Sequence, residues 1–309
     1  MLMRPLVTSL SIMASISAAS TPRETRRVTV LVEHDTDDTT TPPARARCTA
    51  MVDASNADAA VAAAARHAVN EDADAPVTVQ WRRADVATVA ISQRRDPKAL
   101  PCRAFATLAA LDINGVALPL PERDAVVAGN HASATAATPW DGGVVLAAYV
   151  ATRPELFRGK RVVELGCGAG ALPGLASALL GASSVVLTDV PAALPVVQRR
   201  VESVAAPNVA VAALDWREGV GGLRDFDVVL AADTIWLDDL VEPFVNCVAE
   251  LLAGGGRLLL AHQTRSTAVD DELFGALSRR GLACSEIPQD ELAPDFRPDH
   301  IRVFEVSVG

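Results

Sequence analysis

The chain has 309 residues and a net charge of −10, with half of its residues hydrophobic but only 4% aromatic. That length allows one large domain or two small ones, and with no basic patch in the sequence it offers nothing for broad electrostatic binding to nucleic acid. Five cysteines (Cys48, Cys102, Cys167, Cys247 and Cys284) are odd in number and widely spaced, with no Cys-x-x-Cys pair; this suggests neither a disulfide framework nor a zinc site and fits a reducing compartment.

Residues 1–27 carry four arginines, one acid and many small residues. Such a composition suits either an organelle transit peptide or a disordered leader, and its apolar part is too short for a membrane span. Residues 33–47 are polar and proline-containing and read as a linker, so 1–50 is taken as a leader. Over 51–125 the sequence predicts an extension: an alanine-rich helix at 54–69, then strands within 77–92 and 111–120 that pair into a small β-element. Trp81 reads as a packing residue and His67 as a surface helix residue. The third region, 126–309, opens on a helix that Thr138 or Asp141 could cap, with Val144, Val145, Ala148 and Tyr149 as its apolar stripe. Trp140 at its start either staples the helix or covers a ligand.

Residues 162–189 follow: an apolar run through Val162 and Val163, a turn with Gly166, Gly168 and Gly170, a helical pattern closing on Gly181, and a second apolar run ending in Asp189. This is half of a nucleotide-binding βαβ unit, in which glycines let the backbone approach a ligand and the acid can accept hydrogen bonds from ribose hydroxyls. Gly166, Gly168 and Ala171 formally satisfy the dinucleotide fingerprint. Glu164, two residues before the first glycine, tips the choice, because a carboxylate there would repel a pyrophosphate and attract a cationic amino-acid moiety. The pattern Glu-x-Gly-x-Gly-x-Gly resembles motif I of S-adenosylmethionine-dependent methyltransferases. Cys167, inside the turn, reads as packing rather than as a nucleophile.

Beyond Asp189 the sequence predicts a helix at 192–204, a strand at 208–214 ending in Asp215 and Trp216, and a strand at 226–231 before Asp233. A helix at 239–252, a strand at 257–261, a helix at 269–279 and two last strands, 282–287 and 300–306, complete the chain. Alternating strands and helices predict an α/β fold with a parallel sheet. The last two strands, with no helix between them, should form an antiparallel hairpin at one edge.

Over about 111–308 the chain resembles the seven-β-strand class I methyltransferases, and more narrowly the eukaryotic lysine methyltransferase-like family that modifies non-histone proteins. The resemblance rests on Trp140-Asp141, on Glu164 to Gly170, on Asp189, on Leu214-Asp215-Trp216 and on Ala231 to Trp236, in that order. It implies a Rossmann-like seven-stranded, mostly parallel sheet and S-adenosylmethionine as cofactor. Gly166, Cys167, Gly168 and Gly170 would then lie against that cofactor, with Glu164 toward its ammonium and Asp189 on its ribose. Asp215 and Trp216 would border the adenine, Trp140 would close the pocket, and Ala232 would touch the cofactor by its main chain.

In the family's acid-x-x-Tyr/Phe motif after strand four, Asp233 matches the acid, and Trp236 replaces the aromatic and removes its phenol hydroxyl. Asp233 would orient a lysine amine and Trp236 would wall its channel, unless Trp236 merely packs under the loop. The expected partner is a lysine-bearing non-histone protein, with no nucleic acid, no membrane and no metal, for a monomer in the cytoplasm (or an organelle, if 1–27 is a transit peptide). A small-molecule N-methyltransferase, a silent binding module and a dehydrogenase are the competing readings.

Overall fold

The structure, a computed structural model, describes residues 25–34, 44–53, 77–81, 86–91, 102–108, 110–120, 140–294, 296 and 298–309, together with Ala59, Ala62, Ala63 and Arg66. The chain divides into two compact units, Met1–Ala110 and Leu111–Gly309.

In the first unit, β1 (Thr25–His34), β2 (Ala44–Asp53), β3 (Val77–Trp81), β4 (Val86–Ile91) and β5 (Cys102–Leu108) form an antiparallel sheet in the order β2-β1-β5-β4-β3. The expectation of a leader up to residue 50 and a linker over 33–47 fails for the described part of that stretch. β1 and β2 pair along their whole length, from Thr25 opposite Asp53 to His34 opposite Ala44. The valines and threonine of VTVLV suit a pleated strand, a signal that the flanking charges and prolines obscured. The four described positions of the alanine-rich stretch are helical. Residues 1–24 and 35–43, His67, the capping candidate Thr138 and the side chain of Trp81 lie outside the described residues.

The second unit opens with a hairpin, β6 (Ala110–Ile113) and β7 (Val116–Pro119). Asn114 and Gly115 connect the strands with φ of 53° and 82°, two positive values in a row, as a type I′ turn requires. The main sheet comprises β8 (Arg161–Leu165), β9 (Ser184–Asp189), β10 (Val209–Ala213), β11 (Val228–Ala232), β12 (Arg257–His262), β13 (Leu282–Glu286) and β14 (Arg302–Val308). Its order is β10-β9-β8-β11-β12-β14-β13; the first five strands run parallel and β14 is antiparallel to both of its neighbours. This is the Rossmann-like seven-stranded α/β sheet that the sequence predicts, with the antiparallel pair at one edge.

Alternation along each strand sorts the side chains onto two faces. Val163, Leu165, Val229, Ala231, Leu258 and Leu260 share one core cluster with the buried sides of α4 (Val241–Leu252) and α5 (Thr267–Arg279). The intervening positions, among them Val162, Glu164 and Leu230, point to the opposite face, where α1 (Asp141–Ala151) and α2 (Leu172–Leu179) pack on the strands and on each other. The remaining helix, α3 (Leu194–Val204), packs along β9 and β10. α1 departs from the amphipathic stripe that the sequence predicts: every residue from Val144 to Val150 is buried, because α1 is wedged between α2 and the sheet. A helix that is apolar all round belongs in such a place. No helix among the described residues is long and apolar enough to cross a membrane.

One glycine tests this packing. Gly256, at φ 96° just before β12, comes so close to the preceding loop that an added Cβ would lie 2.7 Å from the Phe226 carbonyl oxygen and 2.8 Å from that of Asp227. Gly256→Ala is expected to destabilise the protein by more than about 1 kcal/mol, read as a lower urea midpoint.

Candidate active site

The carboxyl ends of β8, β9 and β11, neighbours in the sheet, each bear or abut an acid: Glu164, Asp189 and Asp233. All three line a single cavity of about 410 Å³. So does every other residue expected at the site: Trp140, Gly166, Cys167, Gly168, Gly170, Asp215, Trp216, Ala232 and Trp236. Open parallel sheets bind ligands at this end of their strands.

The Gly166 turn is held from several sides. Gly166 has φ 62°, and a Cβ there would lie 3.1 Å from both Trp216 Cζ2 and Thr234 Cγ2. Only glycine keeps this wall thin. The Gly168 N–H donates to Asp189 Oδ2 at 2.8 Å, while Val190 N–H donates to Asp189 Oδ1 at 2.8 Å. Gly170 is tied down through its carbonyl, which accepts from Arg200 Nε at 3.2 Å; the same guanidinium also donates to the Pro119 carbonyl of the β6–β7 hairpin. Cys167 is buried, and burial pushes its thiol well above its ordinary pKa, as suits a packing residue.

Glu164 is almost fully buried, and its Oε2 accepts the Gly174 N–H of α2 at 2.8 Å. α2 starts from Ala171 in the left-handed region (φ 43°) with no side-chain cap of its own, so the Glu164 carboxylate takes that role. Burial pushes the Glu164 pKa up to about 8; the Gly174 N–H pulls it back, and the nearby Asp189 adds to the rise. Burial likewise raises Asp189, against its two backbone N–H partners.

Asp233 follows β11 in the left-handed region, at φ 52°, a conformation uncommon for a residue with a β-carbon. Its own N–H donates to the Ala261 carbonyl at 2.9 Å, continuing the ladder to β12. Its Oδ2 accepts the Gly142 N–H of α1 at 2.8 Å, and its Oδ1 is buried with no hydrogen-bond partner. Burial raises its pKa; Gly142, Arg265 and His262 oppose the rise, and Asp141 reinforces it. Asp141 therefore does not cap α1 as expected. It lies inside the helix, 3.2 Å from His300 Nε2, and the cap comes from Asp233, 91 positions along the chain.

On the remaining walls, Asp215 Oδ1 accepts from the Arg217 N–H at 3.0 Å, and Trp216 packs edge-on against Phe244 with centroids 5.2 Å apart. The Trp140 ring carries the Arg265 guanidinium at 4.8 Å from its centroid, so the Arg265 charge reaches both the cavity mouth and Asp233. Ala232 ends β11 opposite Ala261, and Trp236 and the exposed Leu237 complete the rim.

A family described as lysine methyltransferase matches residues 124–280. The chain is 33% identical over 181 residues to the protein N-terminal and lysine N-methyltransferase EFM7 of Eremothecium gossypii, covering 52% of this chain and 68% of that one. It is 32% identical over 161 residues to the mouse protein N-lysine methyltransferase METTL21A, covering 50% and 72%. The EEF1A lysine methyltransferase 3 of Xenopus tropicalis matches at 33% over 180 residues, covering 56% and 75%.

The chain belongs to the lysine methyltransferase family. It is an S-adenosylmethionine-dependent lysine N-methyltransferase. The cavity of this enzyme fits that cofactor by its own chemistry: a thin glycine wall with the acids Glu164 and Asp189 beside it. Among the described residues no group of three or more His, Cys, Asp or Glu is arranged to hold a metal ion.

Three features escaped the sequence reading. Thr234, buried with an unpartnered Oγ1, lines the same cavity; its place inside Asp233 to Trp236 was the one available signal. The Arg265–Trp140 contact and the Asp233 cap on α1 join distant segments and leave no local pattern.

The Glu164 pKa has a consequence for stability. A carboxyl raised from 4.5 to about 8 contributes stability that is complete below pH 4.5 and is lost as pH rises toward 8. Glu164→Gln keeps an oxygen for the Gly174 N–H and abolishes the titration. Relative to this variant, the wild type is expected to lose stability as pH rises from about 5 to about 8 in urea unfolding series.

Proposed function

We propose that the enzyme methylates a lysine side chain of a non-histone protein, with Asp233 orienting the amine and Trp236 walling the channel through which it enters. The observation that carries this reading is the divided carboxylate of Asp233, a residue that lines the cavity: one oxygen caps α1 and the other is buried without a donor. A buried acceptor is costly until a donor reaches it, and an amine is such a donor.

A free lysine has a pKa of about 10.4 and must lose its proton to act as a nucleophile. Apolar walls at Trp236, Leu237 and Trp140 strip water from it, which favours the neutral form. Arg265, stacked on Trp140, adds a positive charge that works in the same direction. The Trp236 face then suits the methylated cation. Glu164 would face the cofactor's ammonium, Asp189 its ribose, Asp215 and Trp216 its adenine, and Trp140 would close over it. Gly166, Cys167, Gly168, Gly170 and the Ala232 main chain would lie against it.

When bound, the cofactor would supply an electrophilic methyl group to the lysine lone pair, with its sulfur as the leaving atom that keeps the electrons of the S–C bond. Alignment of this displacement within about 3–3.5 Å accounts for much of the rate. A net charge of −10 supports a protein substrate over a nucleic acid. Relatives named for EEF1A make that protein the first to try. The name of EFM7 adds an N-terminal amine as a target of the same chemistry.

Because Asp233 also caps α1, alanine at this position would remove two interactions at once. Asp233→Asn keeps an acceptor for the Gly142 N–H, removes the charge and puts an NH2 donor where the second carboxylate oxygen stood. With labelled cofactor and cell lysate, the wild type is expected to label protein, and mass spectrometry to place the label on lysine. Asp233→Asn should cut that labelling by about a hundred-fold or more while calorimetry finds cofactor binding nearly unchanged. Undiminished labelling by the variant, or label confined to small molecules, would refute the reading.

A further inference from the structure

Arg200, on α3, does not line the cavity, yet its guanidinium reaches the turn that forms one cavity wall. Its Nε donates to the Gly170 carbonyl at 3.2 Å, and an Nη of the same group donates to the Pro119 carbonyl at the end of β7. The side chain is half-buried. Burial pulls its pKa down to about 10, and no carboxylate among the described residues offsets that. A guanidinium desolvated at a cost, with no counter-charge, serves the two carbonyls that it touches.

The Gly170 carbonyl depends on this donor. Gly170 is buried, and the N–H four residues further on, that of Gly174, is taken by Glu164. The peptide linking Gly170 to Ala171 is held on its other side by the Ala171 N–H, which donates to the Cys167 carbonyl at 3.0 Å. These two bonds fix the plane of a peptide that sets Ala171 at φ 43°, a left-handed value uncommon for a residue with a β-carbon. Without Arg200 one of the two bonds is lost and a buried carbonyl is stranded. Rotation of the peptide would then relieve Ala171. Gly168, Gly170 and Ala171 all line the cavity, so such a rotation redraws its wall. The far end of the tie is firm. Pro119 lies between Leu118 and Leu120, both buried, and β7 packs on α2, the helix that starts from this turn.

We propose that Arg200 is a positioning residue for the cofactor: by clamping Gly170 to the β6–β7 hairpin it holds the glycine turn in its ligand-binding shape before S-adenosylmethionine arrives. This goes beyond the lysine reading and does not depend on it. A turn already held in shape has little left to order when its ligand binds, so the clamp acts on cofactor affinity. It leaves the transfer step alone, because Arg200 lies outside the cavity in which that step occurs.

Arg200→Met keeps most of the apolar stem and removes every donor. Calorimetry with S-adenosylmethionine is expected to find its binding about ten-fold weaker than that of the wild type, at unchanged stoichiometry. Arg200→Lys keeps the charge but lacks the fork that spans two carbonyls, and about three-fold weaker binding is expected. Arg199→Met removes the same charge from the exposed neighbouring position on α3 and should bind as the wild type does. In labelling of lysate protein, Arg200→Met should show a raised KM for the cofactor and regain wild-type turnover once the cofactor is in excess. A merely structural role would instead lower turnover at every cofactor concentration and leave the affinity of the folded protein unchanged. Wild-type affinity in Arg200→Met, an equal loss in Arg199→Met, or a turnover that excess cofactor does not restore would overturn the assignment. If Arg200→Met does not accumulate as folded protein, Arg200→Lys decides, and wild-type affinity there overturns the clamp. The calorimetric comparison uses no methyl acceptor, so a failure of the lysine reading and a failure of the clamp are told apart.

Discussion

The second unit depends on buried carboxylates that supply hydrogen-bond acceptors to other segments' backbone. The first turn of any helix has N–H groups with no partner inside the helix and carries a partial positive charge. Neither α1 nor α2 has a side-chain cap at its own N-cap residue, Trp140 or Ala171. The acids come from strand ends instead: Asp233 for Gly142 and Glu164 for Gly174. Asp189 does the same for the glycine turn through Gly168. Each acid loses water on burial, and N–H groups that need an acceptor offset part of that cost. The groups that position α1, α2 and the turn are therefore the same groups that line the cavity. The site is made of the fold's own joints.

This double use explains which features were legible in the sequence. Strands β8 to β14, and the helices among them, carry short apolar runs, glycine stops and acids at the strand ends, all local signals. Gly166 to Gly170, Asp189 and Asp215-Trp216 could be placed at one cavity because a parallel sheet brings every strand's carboxyl end to the same edge. What each acid bonds to could not be read, because capping rules look only at neighbouring residues. Asp141 looked like the cap of α1 on those rules, while the true acceptor lies 91 positions away. β1 and β2 were misread for another reason: the VTVLV run of β1 sits beside arginines and a proline-containing polar stretch, and β2 itself carries two arginines, so composition outweighed one five-residue run.

Aromatic residues follow a related economy. The chain has four tryptophans in 309 residues, and three of them, Trp140, Trp216 and Trp236, line the cavity. The core of the second unit is mainly alanine, valine and leucine, so sheet and helices close without large rings. Tryptophan here is not needed to fill the interior; it supplies flat walls at a place that must stay open. Trp216 is fixed by its edge contact with Phe244, and Trp140 by the Arg265 guanidinium. Rings held this way cannot collapse into the space they border, whereas a cavity lined by flexible leucines would close on itself to recover lost contacts. The same reasoning bears on the unpartnered oxygens of Asp233 and Thr234. Both residues line space that rigid walls keep open, at the end of a core that is otherwise closely packed, and so the room for a ligand is set by side chains that the fold has already fixed.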